Sequence, residues 1–323
     1  MGNQPRSFIL ARPDEQDGLT LEMEPGAIPE RYLNRYHADY DVRCAFCPTH
    51  TPHRRGFTVA MADGRTALCG IDCAAKYFGV EVAARHEADL EKHIKKVTQE
   101  RLVVRALSGV QIVVDELERR WLRLEEAAED VTSELEFFIG HSSIARSVND
   151  QGVIEVTDTV RRWVEVVGKN GELSRRPSYE TKIICRVQAA SVLFSRQSKL
   201  LSAYNLLNQM KLWSGRTDFS DTDIEKLSHM RTNVLRFLEQ GIKFLNECFV
   251  FFTEENIKAL EKFRQRVSTS AKKIIWRRKS SVPVISIKSN EYETLNMKVP
   301  DLTVRPTLKE LIAPLRKGEV EMA

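Results

Sequence analysis

Two pairs of cysteines near the start of the chain, Cys44-Ala45-Phe46-Cys47 and Cys69-Gly70-Ile71-Asp72-Cys73, stand twenty-one residues apart. Six cysteines in 323 residues are too sparse for a disulfide framework, and four of them are concentrated in these two pairs. Paired thiolates at such spacings can close a tetrahedron around one metal ion. Four sulfurs suit zinc, a borderline-soft cation with no geometric demand of its own, although iron can occupy a site of this kind. A sulfur-only set leaves no open coordination position, so the expected role of Cys44, Cys47, Cys69 and Cys73 is structural. The plain alternative is four buried cysteines, and His50 and His53 compete for a ligand place. Cys185 and Cys248 sit in apolar runs and read as core residues.

Between the pairs, two short β-prone runs flank Asp63-Gly64, the pattern of a hairpin. Cys73 then begins a short helical run that ends at Phe78-Gly79. A knuckle, a hairpin and a helix carrying the last ligand together resemble the treble-clef zinc fingers over residues 40–80. The sequence departs from that family in having Pro48 after Cys47 and three residues between Cys69 and Cys73. The resemblance implies metal binding. It selects no function, because treble clefs serve nucleic-acid binding, protein binding and structural support.

The remainder reads as mainly α. Residues 1–39, broken by Pro5, Pro13, Pro25 and Pro29, are expected to form an irregular arm with a helical piece at residues 30–36. The module at 40–79 is a small α+β unit. Residues 80–279 are expected to form a long-helix bundle or antiparallel coiled coil. The basis is an apolar residue at alternating steps of four and three: Val103, Leu107, Val110, Val114, Leu117, Trp121, Leu124, Ala128, Val131, Leu135 and Phe138. The opposite face, with Glu125, Glu129 and Glu136 among many carboxylates, reads as solvated. Residues 150–177 fit either a helix or a hairpin turning at Lys169-Asn170-Gly171, with the hairpin preferred. A helical block is expected from Ser178 to Gly215, and another from the capping run Ser220-Asp221-Thr222-Asp223 through Ile274. Prolines 283, 300, 306 and 314 make 280–323 an irregular tail. No repeat of fixed period is found.

Net charge is the small remainder of 49 basic and 45 acidic residues, so only a local cluster argues for a polyanionic partner. That cluster is Arg264, Arg266, Lys272, Lys273, Arg277, Arg278 and Lys279, with Trp276 among them and no acid in residues 264–279. Cations that neutralise phosphates beside an indole that stacks on a base are the kit of a single-strand binder. The alternative is a solvated helix end whose cations favour the dipole's negative pole. Arg43, His53, Arg54, Arg55 and Arg65 could extend such a footprint. No phosphate-cradling glycine loop, nucleophile elbow, His-Glu zinc helix or kinase set is present, so a non-enzymatic protein is expected. There is no apolar run of membrane-spanning length, and the N-terminus reads as a cytoplasmic start. The two expectations for function are nucleic-acid binding through the basic segment and the zinc module, and protein interaction or self-association through the heptad seam.

Overall fold

The computed structural model describes residues 9–167, 169, 172–194, 198–268, 273–279, 282–288, 294–301 and 304–316. It is 51% helical and 28% strand with three sheets, so the class is mixed α/β and the mainly α expectation is overturned. Two compact units divide the chain, the first ending at Val104 and the second beginning at Arg105.

The first unit is built on strands. In chain order these are β1 (Ile9–Leu10), a 3-10 turn (Pro13–Glu15), β2 (Leu19–Thr20), β3 (Pro29–Arg43), β4 (Pro52–Met61) and β5 (Thr66–Gly70). They form one sheet in the order β1-β3-β4-β5-β2, antiparallel through β3-β4-β5, with β1 and β2 added parallel at its edges. Where a helical piece was expected at residues 30–36, β3 runs instead. Tyr32, Asn34, Tyr36 and Ala38 are buried at every second residue, the period of a strand with one face on a core. The inward set mixes aromatic, amide and methyl groups, and Leu33 lies between them, so an apolar-polar scan does not show the alternation. Helix α1 (Ile71–Phe78) follows β5 directly, and α2 (Val80–Glu116) starts after Gly79. The first turns of α2 belong to this unit. There Arg35 of β3 reaches Glu87 at 2.7 Å and Glu91 at 2.8 Å, and Tyr32 lies 5.2 Å from His86, ring to ring.

In the second unit the helix begun as α2 continues through a π-helical turn, Leu117–Trp121, into α3 (Leu122–Ile139). All the heptad positions except Leu124 and Phe138 are buried. The expected long coiled coil is not found among the described residues: residues 122–139 of the seam pack against residues 190–194, 199–211 and 221–251 of the same unit. Short α4 (His141–Ala145) leads to β6 (Ile154–Val167) and β7 (Leu173–Val187), a two-stranded ribbon. Residues 178–187, expected to open a helical block, are therefore strand. Their β-branched and aromatic side chains pair across to β6, Tyr179 with Arg161 and Ile183 with Thr157.

A 3-10 turn (Ala190–Phe194) precedes α5 (Lys199–Lys211), α6 (Asp221–Phe251) and α7 (Glu254–Val267). Helix α6 opens with a capping box, Ser220 accepting from the Asp223 amide while Asp223 accepts from Ser220. Gly241 in α6 admits Leu200: a Cβ there would stand 2.5 Å from the leucine side chain. The expected helix to Ile274 stops at Val267. Beyond it, β8 (Lys273–Lys279), β9 (Val282–Lys288) and β10 (Leu295–Lys298) form an antiparallel sheet in the order β10-β9-β8, followed by α8 (Leu308–Arg316). Much of the expected irregular tail is thus structured.

Two carboxylates from the face read as solvated are in the core. Glu125, 1% exposed, accepts from the Leu200 amide at 2.9 Å and the Leu201 amide at 3.3 Å, capping α5 from a distant helix. Burial still outweighs those bonds and pushes its carboxyl up to about 7. Glu136 is equally buried and bonds His141.

Candidate metal centre and basic sheet

Cys44 and Cys47 lie on the knuckle that follows β3, Cys69 on β5, and Cys73 in the first turn of α1. The fold brings the sulfurs of Cys44, Cys47 and Cys73 within 4.8 Å of one another, close enough to hold one metal ion. Cys69, the fourth cysteine expected in the set, is fully buried but is not one of these three, and its thiol donates to the Gly70 carbonyl at 3.5 Å. N–H donors meet two of the sulfurs, Cys44 and Cys47. The Thr51 amide donates to Cys47 Sγ at 3.0 Å, and the amides of Gly70 and Phe46 donate to Cys44. Hydrogen bonding from Cys69 and then from His53 holds Cys44 well below the usual thiol range against the effect of burial. Cys69 is held far above it, first by donating to Cys44 and then by burial, and burial pushes Cys73 up to about 12.

His53 stands outside the sulfur cluster as a neighbour of it. Its Nδ1 lies 2.9 Å from the Tyr36 hydroxyl, and its side chain bonds the Cys44 sulfur. Gly70 makes room for this ring, since a Cβ there would come within 2.6 Å of it. Outer partners of this kind orient the ligands of metal sites. The sequence offered His53 as a rival ligand or as part of a basic footprint and did not point to Tyr36, because their meeting depends on the β3-β4 register. His50 turns away, its Nδ1 3.1 Å from the Cys44 carbonyl and its Nε2 3.4 Å from Glu22.

The basic segment is divided by the fold. Arg264 is 3% exposed, paired with Glu261 at 2.8 Å and lying over the Phe138 ring. Arg266 holds the base of the ribbon, bonding the Thr157 carbonyl and pairing with Asp158 at 3.2 Å. Arg264 is thereby withheld from a ligand, whereas Arg266 is exposed but already paired. Lys272 lies outside the described residues. Lys273, Arg277, Arg278 and Lys279 are exposed on β8, while Trp276 is half-buried with its indole N–H unbonded. Around the metal centre, Arg65 is matched by Glu24 and Asp63, and Arg54 by Asp41.

Cross-strand partners share a face of a sheet. Pairing of Lys273 with Lys288 and of Arg277 with Val284, itself opposite Lys298, therefore puts Lys273, Arg277, Lys279, Lys288 and Lys298 on one face. All five are exposed, and the three strands contain no Asp or Glu. Ser286 and Asn296 lie between them, bonded to each other at 2.7 Å. The other face carries Ile274, Trp276, Ile285, Ile287 and Met297, buried or half-buried, together with exposed Leu295 and Arg278, which the register thus parts from the basic row.

No helix among the described residues is long and apolar enough to cross a membrane. Comparisons with protein-family models, curated proteins and solved structures return no match.

Proposed function

We propose that the chain is a non-enzymatic protein that binds nucleic acid through the basic sheet of its second unit, while its first unit is held by one structural zinc ion. The observation that carries this reading is the row Lys273, Arg277, Lys279, Lys288 and Lys298 on one face of three strands that contain no carboxylate. Such a face tracks a phosphate backbone through charge, and exposed Asn296 adds a polar contact between the cations, held from beneath by the buried Ser286 hydroxyl. The apolar opposite face anchors the sheet to its unit. In the first unit Cys69 supplies the fourth thiolate, completing a closed tetrahedral set with Cys44, Cys47 and Cys73. Its role is to fix the knuckle, hairpin and α1, and the zinc ion takes no part in chemistry.

Fluorescence anisotropy with labelled single-stranded DNA, duplex DNA and RNA tests the reading. Five phosphate contacts on duplex predict that log K falls against log salt with a slope of about −4, and that Arg277→Gln with Lys279→Gln reduces it by about 2. Absence of salt-sensitive binding at micromolar protein, or binding unaffected by the double variant, sinks it. The scaffold alternative through the heptad seam is weakened by the burial of that seam.

A further inference from the structure

The β6–β7 ribbon of the second unit carries a series of exposed apolar side chains among its charges. Beyond its buried base at Ile154, Val156 and Val187, both faces are open, with Trp163 58% exposed, Tyr179 66% and Leu173 72%, and with Val160, Val164, Val166 and Val167 also exposed. A two-stranded ribbon is marginal in water without cover on a face or an edge. Its sheet has no further strand among the described residues, so each strand has one outer edge without a partner strand. The two edges differ. Strand β7 carries Pro177, which lacks a backbone N–H and blunts edge pairing, whereas β6 has no proline.

We propose that the ribbon is a self-association arm in which β6 pairs antiparallel with β6 of a second copy, across a twofold axis at Trp163. The order of side chains along β6 carries the choice of occupant. Centred at Trp163, the pairing sets Arg161 opposite Glu165 of the second copy and Val160 opposite Val166, each twice by symmetry, with the two indoles side by side. Moving the centre to Arg162 or Arg161 sets like charges opposite one another, which is destabilising, and a centre at Val164 leaves the charges unmatched. The side chains are already disposed for it. Arg161 lies over the Trp163 ring at 4.3 Å with no carboxylate partner among the described residues, and Glu165 holds Arg175 across the ribbon at 3.1 Å. Glu165 can therefore accept a second guanidinium from its other side. A twofold contact of this kind is self-complementary and closes at two chains. A nucleic acid is the lesser candidate for this surface, because the ribbon's charges are largely paired within it.

Sedimentation velocity on the full chain tests the proposal. A species of twice 37.0 kDa is expected at tens of micromolar protein. Arg161→Glu should weaken self-association at least tenfold. The triple exchange Arg161→Glu, Glu165→Arg, Arg175→Glu, which keeps the cross-strand pair within the ribbon, should restore it. Trp163→Cys should give a dimer linked through position 163 on mild oxidation, confirmed by peptide mapping. A wild-type chain that stays monomeric overturns the proposal. So does a dimer indifferent to Arg161→Glu that yields no link at 163. A monomer whose nucleic-acid affinity falls on Trp163→Ala would assign the ribbon to polyanion binding and overturn it as well.

Discussion

The two units reach a stable interior by different routes. In the first, the buried cluster is assembled from Tyr32, Phe46, Phe57, Val59, Met61 and Phe78 around the cysteines, with much of the sheet surface polar. The second buries Leu117, Leu135, Leu193, Leu200, Leu207, Leu227, Leu238, Leu245 and Phe251 almost completely, in long helices that need no metal. A small sheet whose inward positions include Asn34 and Thr58 has little hydrocarbon to set against chain entropy, and the proposed metal held by sulfur would make up the difference. The second unit has hydrocarbon enough to carry two buried carboxylates. The lesson is that the metal-binding residues and the costly buried acids fall in opposite units, so each unit has its own signature perturbation.

Three perturbations sharpen this contrast. The largest is removal of the metal, by chelation or by Cys44→Ser. It should take on the order of 10 kcal/mol of binding free energy from the first unit. In scanning calorimetry one transition should collapse while the second unit's transition keeps its temperature. Equal movement of both would break the contrast.

Next is pH. Glu125 is held at about 7 in the folded chain against its ordinary 4.5, so the folded state binds the extra proton between these values. Stability from this group is full below pH 4.5 and is lost as pH rises through about 7, a total of ~3 kcal/mol. Urea midpoints of the second unit should therefore fall from pH 5 to pH 8, and Glu125→Gln should flatten that slope. An unchanged slope would show that the carboxylate is not the source.

The smallest effect comes from Ser220→Ala. It removes the hydroxyl of the α6 capping box and should cost the second unit ~1 kcal/mol in the same urea experiment, with metal affinity untouched.

The cysteine pairs were legible because metal chemistry writes short, local spacings, and three of those sulfurs do converge. The strand character of β3 was not legible, since its inward face alternates by position without alternating by polarity. The basic segment misled for a different reason. Its residues share a charge, but Arg264 is buried on a helix and Arg266 is tied to the base of the ribbon, while Arg277 and Lys279 lie exposed on a strand. The partners that complete the basic face, Lys288 and Lys298, come from strands whose register is set by tertiary pairing. Glu125 and Glu136 were hidden by the assumption that carboxylates beside an apolar seam are solvated, whereas helix ends inside a core need acceptors.

The π-helical turn at Leu117–Trp121 has a further meaning. The Leu122 amide bonds back to the Leu117 carbonyl, five residues away, so this turn holds about one residue more than an ordinary one. Leu117 and Trp121 point into the core at its two ends, and the surplus bulges outward at Glu118, Arg119 and Arg120, which are exposed. The helix thus stores an insertion without displacing either flank. Deleting one of Glu118, Arg119 or Arg120 would therefore draw the bulge back into regular pitch while Leu117 and Trp121 keep their places in the core.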